Sequence, residues 1–214
     1  MTKRFKIELP NIPSHLKAAN FQDIYYEEDP YLANSIITNT DIEEEIDKLV
    51  LSKVTFKNVR FINAAFTKID MTDVAFDNCD LSNASFSEGI IHRVTFKDCK
   101  LMGLNLSGSN QGNVSFENCI VNMSDFVDAQ LKQVIFDHSS LQNANYYECK
   151  FNKVKFDQCN IDGVNFTNTV LKGIDISTCT FDRINVNIGN LDGCVVSPEQ
   201  AIGFAKLLGL QVNG

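Results

Sequence analysis

From Leu51 to Val196 every fifth residue is apolar, with Gln111 the single exception, and the register never slips. A period of five fits neither a helix at 3.6 nor a strand at 2. It describes a solenoid, in which each short unit buries its core residue by stacking on neighbouring coils. The residue two before each of these positions supplies a second inward set. It is small or β-branched in nearly every unit, and all seven cysteines fall there.

Sorting the same positions at a spacing of twenty residues sharpens the likeness. One column reads Val54, Val74, Val94, Val114, Val134, Val154, and the residues two further on are Phe56, Phe76, Phe96, Phe116, Phe136, Phe156. Another holds Val59, Cys79, Cys99, Cys119, Ser139, Cys159 and Cys179. Like residues stack on like, so four units close one coil and the cross-section is square. Residues 53 to 192 give seven coils, and at about 4.8 Å per layer the column stands roughly 34 Å tall. Its core is narrow and filled with side chains, which leaves no room for a ligand.

At 214 residues the chain suits one elongated domain. Its net charge of −8, from 27 acidic and 19 basic residues, disfavours direct nucleic-acid binding and admits a partner that itself binds polyanions. Residues 1–50 hold ten acidic and five basic residues, so most of the excess lies ahead of the repeats. No signal peptide and no apolar run of membrane length is present, and the expected compartment is the cytoplasm. Cys79, Cys99 and Cys119 stack at a separation that permits disulfides. Their alternation with Val, Ser and Ala marks instead a position for a small apolar side chain, so reduced structural thiols are expected.

Catalysis has no constellation to rest on. His15, His92 and His138 lack partners at metal-ligand spacing, the inward cysteines sit in apolar surroundings, and no phosphate-binding or hydrolase motif occurs. The expectation is a non-enzyme with no cofactor and no metal.

The ends differ in kind from the middle. Residues 1–50 form an N-terminal capping segment: 1–34 carry no five-residue register and include Pro10, Pro13 and Pro30 and the run Tyr25-Tyr26-Glu27-Glu28-Asp29. An open β-helix end exposes core side chains, and this segment is placed to cover it. Residues 35–50 read either as a first partial coil, out of phase with the later repeats, or as a short helix capped by Thr40 and Glu43. The repeats span 51–196. In the tail, 197–214, Ser197-Pro198-Glu199-Gln200 is a helix start with a capping box, a helix runs from Pro198 to Leu208, and Gly209 suits its C-cap. Its apolar residues cover more than one face, which calls for a second partner.

The run Val94-Thr-Phe96-Lys-Asp-Cys99-Lys-Leu101, with its repeats over roughly 145 residues, resembles the pentapeptide-repeat family. That resemblance implies an all-β solenoid, a right-handed quadrilateral β-helix with an N-terminal cap and a C-terminal α-helix. The ending Phe204-Ala-Lys-Leu-Leu208-Gly209-Leu-Gln-Val212 resembles that of the quinolone-resistance (Qnr-type) members. Those bacterial proteins are homodimeric, DNA-like rods that bind DNA gyrase and topoisomerase IV and protect them from quinolones. Carried over, the resemblance implies a dimer interface at Ile202, Phe204, Ala205, Leu207, Leu208, Leu210 and Val212. Some Qnr-type members project loops from their coils, whereas this register admits no insertion.

Two stacks of carboxylates are the candidates for an acidic partner-binding surface: Glu117, Asp137 and Asp157, and Asp162 over Asp182. They would stand in for phosphates along a DNA strand. A solvated, screened face explains them equally simply. Two functions are open, a DNA mimic acting on type II topoisomerase or a general interaction scaffold with an unknown partner.

Overall fold

The computed structural model describes residues 6–26, 28–207 and 209–212. Its strands run along the chain as β1 (Lys17–Ala18), β2 (Tyr31–Thr38), β3 (Asp41–Ile42), β4 (Glu45–Asp47), β5 (Val50–Lys57), β6 (Arg60–Phe61), β7 (Ala65–Thr67), β8 (Asp70–Asp77), β9 (Ile90–Lys97), β10 (Asn110–Glu117), β11 (Gln130–Asp137) and β12 (Lys150–Asp157). A 3₁₀ turn spans Phe21–Tyr26, another Ile188–Leu191, and helix α1 spans Pro198–Leu207. The strands β1-β2-β5-β8-β9-β10-β11-β12 form one parallel sheet, the largest face of a β-solenoid of about seven turns.

The twenty-residue column is the sheet register itself. Val94 pairs with Val114 and Val114 with Val134, and Phe96, Phe116 and Phe136 stand in line beside them. The phenyl rings stack at 4.9 Å and 4.7 Å with interplanar angles of 5° and 7°. Each ring fills the layer beneath its neighbour, which is why one large residue per face suffices to pack the core.

Corners turn where the backbone enters the left-handed region, two residues after the large inward side chain through most of the rod. Asn58, Asn63, Asn78 and Asn83 sit at φ of 52–59°, a conformation that Asn and Gly adopt at least cost. At Leu81–Ala84 the turn is closed by the Ala84 amide donating to the Leu81 carbonyl at 3.1 Å.

The cysteine column has a role beyond filling space. The Cys79 amide donates to Cys99 Sγ at 3.4 Å, and the Cys99 thiol lies 3.5 Å from the Phe76 carbonyl it donates to. Where Ser139 replaces Cys, its hydroxyl accepts from the Cys119 amide at 3.0 Å and lies 2.9 Å from the Asp137 carbonyl it donates to. From Cys79 onward the position thus holds a small side chain that satisfies backbone groups at a corner, while Val59 fills it by volume alone. All seven cysteines are free thiols, and six of them are buried.

Of the two readings of residues 35–50, the structure shows the coil. Tyr31 pairs with Val50 and Asp41 with Arg60, nineteen residues on, while Glu45 pairs with Ala65, twenty on. One residue is missing between Ile42 and Ile46, and that deletion is what puts this coil out of phase. Below it, β1 pairs with β2. Phe21 enters the open end with its ring 5.7 Å from that of Phe66, and Ile24 is fully buried beside it.

At the other end Ser197 and Gln200 form the expected capping box. The Gln200 amide donates to Ser197 Oγ at 3.2 Å, and the Ser197 amide donates to Gln200 Oε1 at 2.9 Å. Gln200 Nε2 also donates to the Ile176 and Cys179 carbonyls, both at 2.9 Å, so the cap residue pins α1 to the column. Gly209, at φ 76°, lets the Leu210 amide turn back to the Ala205 carbonyl at 3.2 Å.

Candidate partner-binding surface

The solenoid register brings Glu117, Asp137 and Asp157 into one column on β10, β11 and β12, with neighbours about 4.8 Å apart. Each has a local partner. Ser115 Oγ donates to Glu117 Oε1 at 3.1 Å, and His138 Nδ1 lies 2.8 Å from Asp137 Oδ1. Asp157 is paired with Lys155, whose hydrogen bond holds the carboxyl below its ordinary range. Lower in the same column Lys57 meets Asp77 at 3.3 Å. The edge is a ladder of alternating partners in which the acidic members outnumber the basic ones towards the C-terminal coils.

The second stack is built differently. Asp162 Oδ1 accepts the backbone amides of Asp182 and Arg183, each at 3.0 Å, and these donors, Arg183 first, lower its pKa. This carboxylate fastens one coil to the next, and Asp182 stands exposed above it. Both face a cleft of about 390 Å³ between the last coils and the start of α1, where Glu199 adds a further carboxylate. The cleft concentrates negative potential at the C-terminal end of the rod.

The expected dimer residues divide between two surroundings. Ile202, Leu210 and Val212 are exposed. Phe204 and Ala205 are half-buried against the last coil, with the Phe204 ring 6.0 Å from Phe181. With Leu191, Cys194, Val196 and Ala201 they line an open apolar recess of about 270 Å³. Leu207 ends α1, and Leu208 lies outside the described residues.

The hydrogen bond with Cys119, and after it burial, push the Cys99 thiol up to about 12, and burial pushes Cys149 up to about 12, which keeps both protonated at neutral pH. Among the described residues no group of three or more His, Cys, Asp or Glu side chains is placed to hold a metal ion. No described helix is long and apolar enough to cross a membrane. Sequence reasoning missed one cluster, Asp73, Arg93 and Asn113. Its signal was a polar, charge-changing corner column opposite a segment with prolines but no repeat.

A family model described as pentapeptide repeat region matches residues 69–145 and 129–197, and another, described as pentapeptide repeats (8 copies), matches 50–87. The uncharacterized protein YisX of Bacillus subtilis (strain 168) is 40% identical over 70 residues, 33% of this chain and 33% of that protein. The alignment therefore spans about a third of the length of that relative. A trypsin-treated form of QnrB1, a plasmid-mediated fluoroquinolone resistance protein, superposes with a TM-score of 0.44 at 17% identity, covering 86% of this chain and 90% of that one. HetL, a pentapeptide repeat protein involved in heterocyst differentiation regulation from the cyanobacterium Nostoc sp. strain PCC 7120, gives 0.34 at 13% identity over 78% and 85%.

Proposed function

The chain belongs to the pentapeptide repeat family, and from that membership we propose that it is a non-catalytic, DNA-mimicking rod that binds a type II topoisomerase. DNA gyrase or topoisomerase IV is the partner class, and the outcome is modulation of the enzyme or its protection from quinolones. The observation that carries the reading is the acidic column Glu117, Asp137, Asp157 on a straight parallel register, in a chain of net charge −8. Carboxylates repeated at layer spacing present a basic DNA-binding groove with a periodic negative ligand. A cytoplasmic site of action goes with such a partner.

We place a homodimer contact at the C-terminal recess, with Ile202, Leu210 and Val212 of each copy covering the other's open end. Two columns of roughly 34 Å give about 70 Å, close to twenty base pairs of duplex. Light scattering should report about twice 24.0 kDa. A monomer at micromolar concentration removes the dimer from the proposal.

The deciding experiment is gyrase supercoiling with and without a quinolone. The protein should inhibit supercoiling at high dose or restore it in the presence of drug, and rising salt should weaken the effect. A second reading, a scaffold for an unrelated protein, is favoured by the pairing of Asp137 with His138 and Asp157 with Lys155, which tempers the acidic column. It stands if gyrase is untouched at any salt.

A further inference from the structure

Residues 6–11 belong to no coil and lie along the outside of the rod. The Asn11 amide donates to Asp73 Oδ1 at 2.8 Å, and the Glu8 amide donates to Asn113 Oδ1 at 3.0 Å. Gln133 Nε2 donates to the Lys6 carbonyl at 3.3 Å, and the Glu8 carboxylate lies 4.0 Å from Arg93 Nη1. Asp73, Arg93, Asn113 and Gln133 are equivalent corner residues of β8, β9, β10 and β11, all with left-handed backbone at φ 50–60°. Crossing from β11 to β8 takes about 14 Å at sheet spacing, and the five steps from Lys6 to Asn11 reach only about 17 Å fully drawn out. The arm is therefore extended and runs along the rod, bridging four layers.

The corner is shaped for this contact. Left-handed corner residues elsewhere on the rod keep part of their surface in water, but Asp73 and Asn113 are 3% and 7% exposed. Beneath the arm Asp73 is held by Arg93 at 2.6 and 2.9 Å. The contacts are made to the arm's backbone, with one side-chain pair, Glu8 to Arg93. Pro10 falls at a position whose amide is not used, and Pro10 and Pro13 restrict the free arm to extended conformations, which reduces the entropy lost on docking.

We propose that the column Asp73, Arg93, Asn113, Gln133 is a polypeptide-binding track, and that the chain's own arm is its resident ligand in the single molecule. Its ligand class is an extended, proline-containing segment that offers two amides three residues apart and a carboxylate opposite Arg93. The track is distinct from the acidic column and independent of topoisomerase binding.

The test uses the full chain with Glu8→Pro and Asn11→Pro, which removes both amide donors and leaves every coil residue intact. The side-chain amide signals of Asn113 and Gln133 are followed by NMR. They should move in the double variant and return to their original positions when a peptide of residues 6–14 is added. The unaltered protein should need at least about tenfold more peptide for any response, because its tethered arm competes at high effective concentration. Adding Asp73→Ala and Asn113→Ala to the double variant should abolish the Gln133 response. The proposal is overturned if the double proline variant leaves both signals unmoved, if peptide never restores them, or if both proteins respond to peptide alike.

Discussion

From β8 to β12 the paired residues of neighbouring strands stand twenty positions apart, whereas the contacts at the two ends and along the outside of the rod obey no period: Phe21 packs on Phe66, Gln200 binds Ile176, and Asn11 binds Asp73. In the middle, each side chain is supported by an equivalent neighbour above and below. At an end, one of those neighbours is absent and a residue of different chemistry takes its place. Stability in such a column is a sum of nearest-layer terms, so equal substitutions should have unequal costs in the two regions.

The largest expected effect measures that inequality directly. Phe116→Ala removes a fully buried ring stacked between Phe96 and Phe136 and should cost about 3–5 kcal/mol in urea unfolding. Phe204→Ala removes a half-buried ring at the edge of an open recess and should cost about 1 kcal/mol. Equal losses would mean that the last coil is packed as tightly as the middle, and the contrast would fail.

Next comes the arm, where an irregular contact sits on the regular middle. Asp73→Ala leaves the Asn11 amide and the Arg93 guanidinium without their acceptor and should cost about 2 kcal/mol, moderated because a quarter of the Arg93 side chain remains exposed. The hydrogen bond from Arg93 lowers the Asp73 pKa. A depressed carboxyl contributes stability that is complete above the ordinary range near ~3.9 and lost as pH falls through the folded value. Melting monitored from pH 7 to pH 2.5 should hold steady near neutrality and then fall. Asp73→Asn should flatten part of that fall.

A smaller effect of opposite sign tests a polar break in the core. Gln111 stands in register between Ile91 and Leu131 with its Oε1 buried and unpartnered. Its Nε2 donates to Ser109 Oγ at 3.0 Å, but Ser109 keeps its own bond to the Leu106 carbonyl at 2.6 Å. Gln111→Leu should therefore raise stability by about 1 kcal/mol. A loss would mean that Gln111 holds something the apolar side chain cannot replace.

The division between middle and ends also marks what the chain revealed by itself. The inward Val and Phe columns and the four-unit coil were legible because burial repeats at fixed spacing. The Ser197 and Gln200 cap was legible because its chemistry is local. The hydrogen-bonding role of the cysteine column was visible only in Ser139, one of its two exceptions, since Val59 fills the position with no polar group. The arm on Asp73 and Asn113 was not legible, since a backbone amide meeting a side chain 62 positions away leaves no periodic trace. Nor was the partner of Asp137, because His138 lies beside its carboxylate only once side-chain directions are fixed.

The smallest effect on stability bears most on function. Glu117→Gln with Asp137→Asn, Asp157→Asn, Asp162→Asn and Asp182→Asn removes five negative charges and keeps an acceptor oxygen at each place. After Asp162→Asn the side-chain carbonyl can still receive the two backbone amides, of Asp182 and Arg183, that the carboxylate now receives. The half-exposed pairs of Asp137 and Asp157 contribute little, and relief of like-charge repulsion along the column offsets their loss. Melting should change by no more than about 1 kcal/mol, while inhibition of gyrase supercoiling should fall and lose its dependence on salt. If the neutralised protein inhibits as strongly as the original, the regular middle of the rod is not the contact surface. The N-terminal cap, and Glu199 beside α1, whose charges this variant keeps, then become the regions to test.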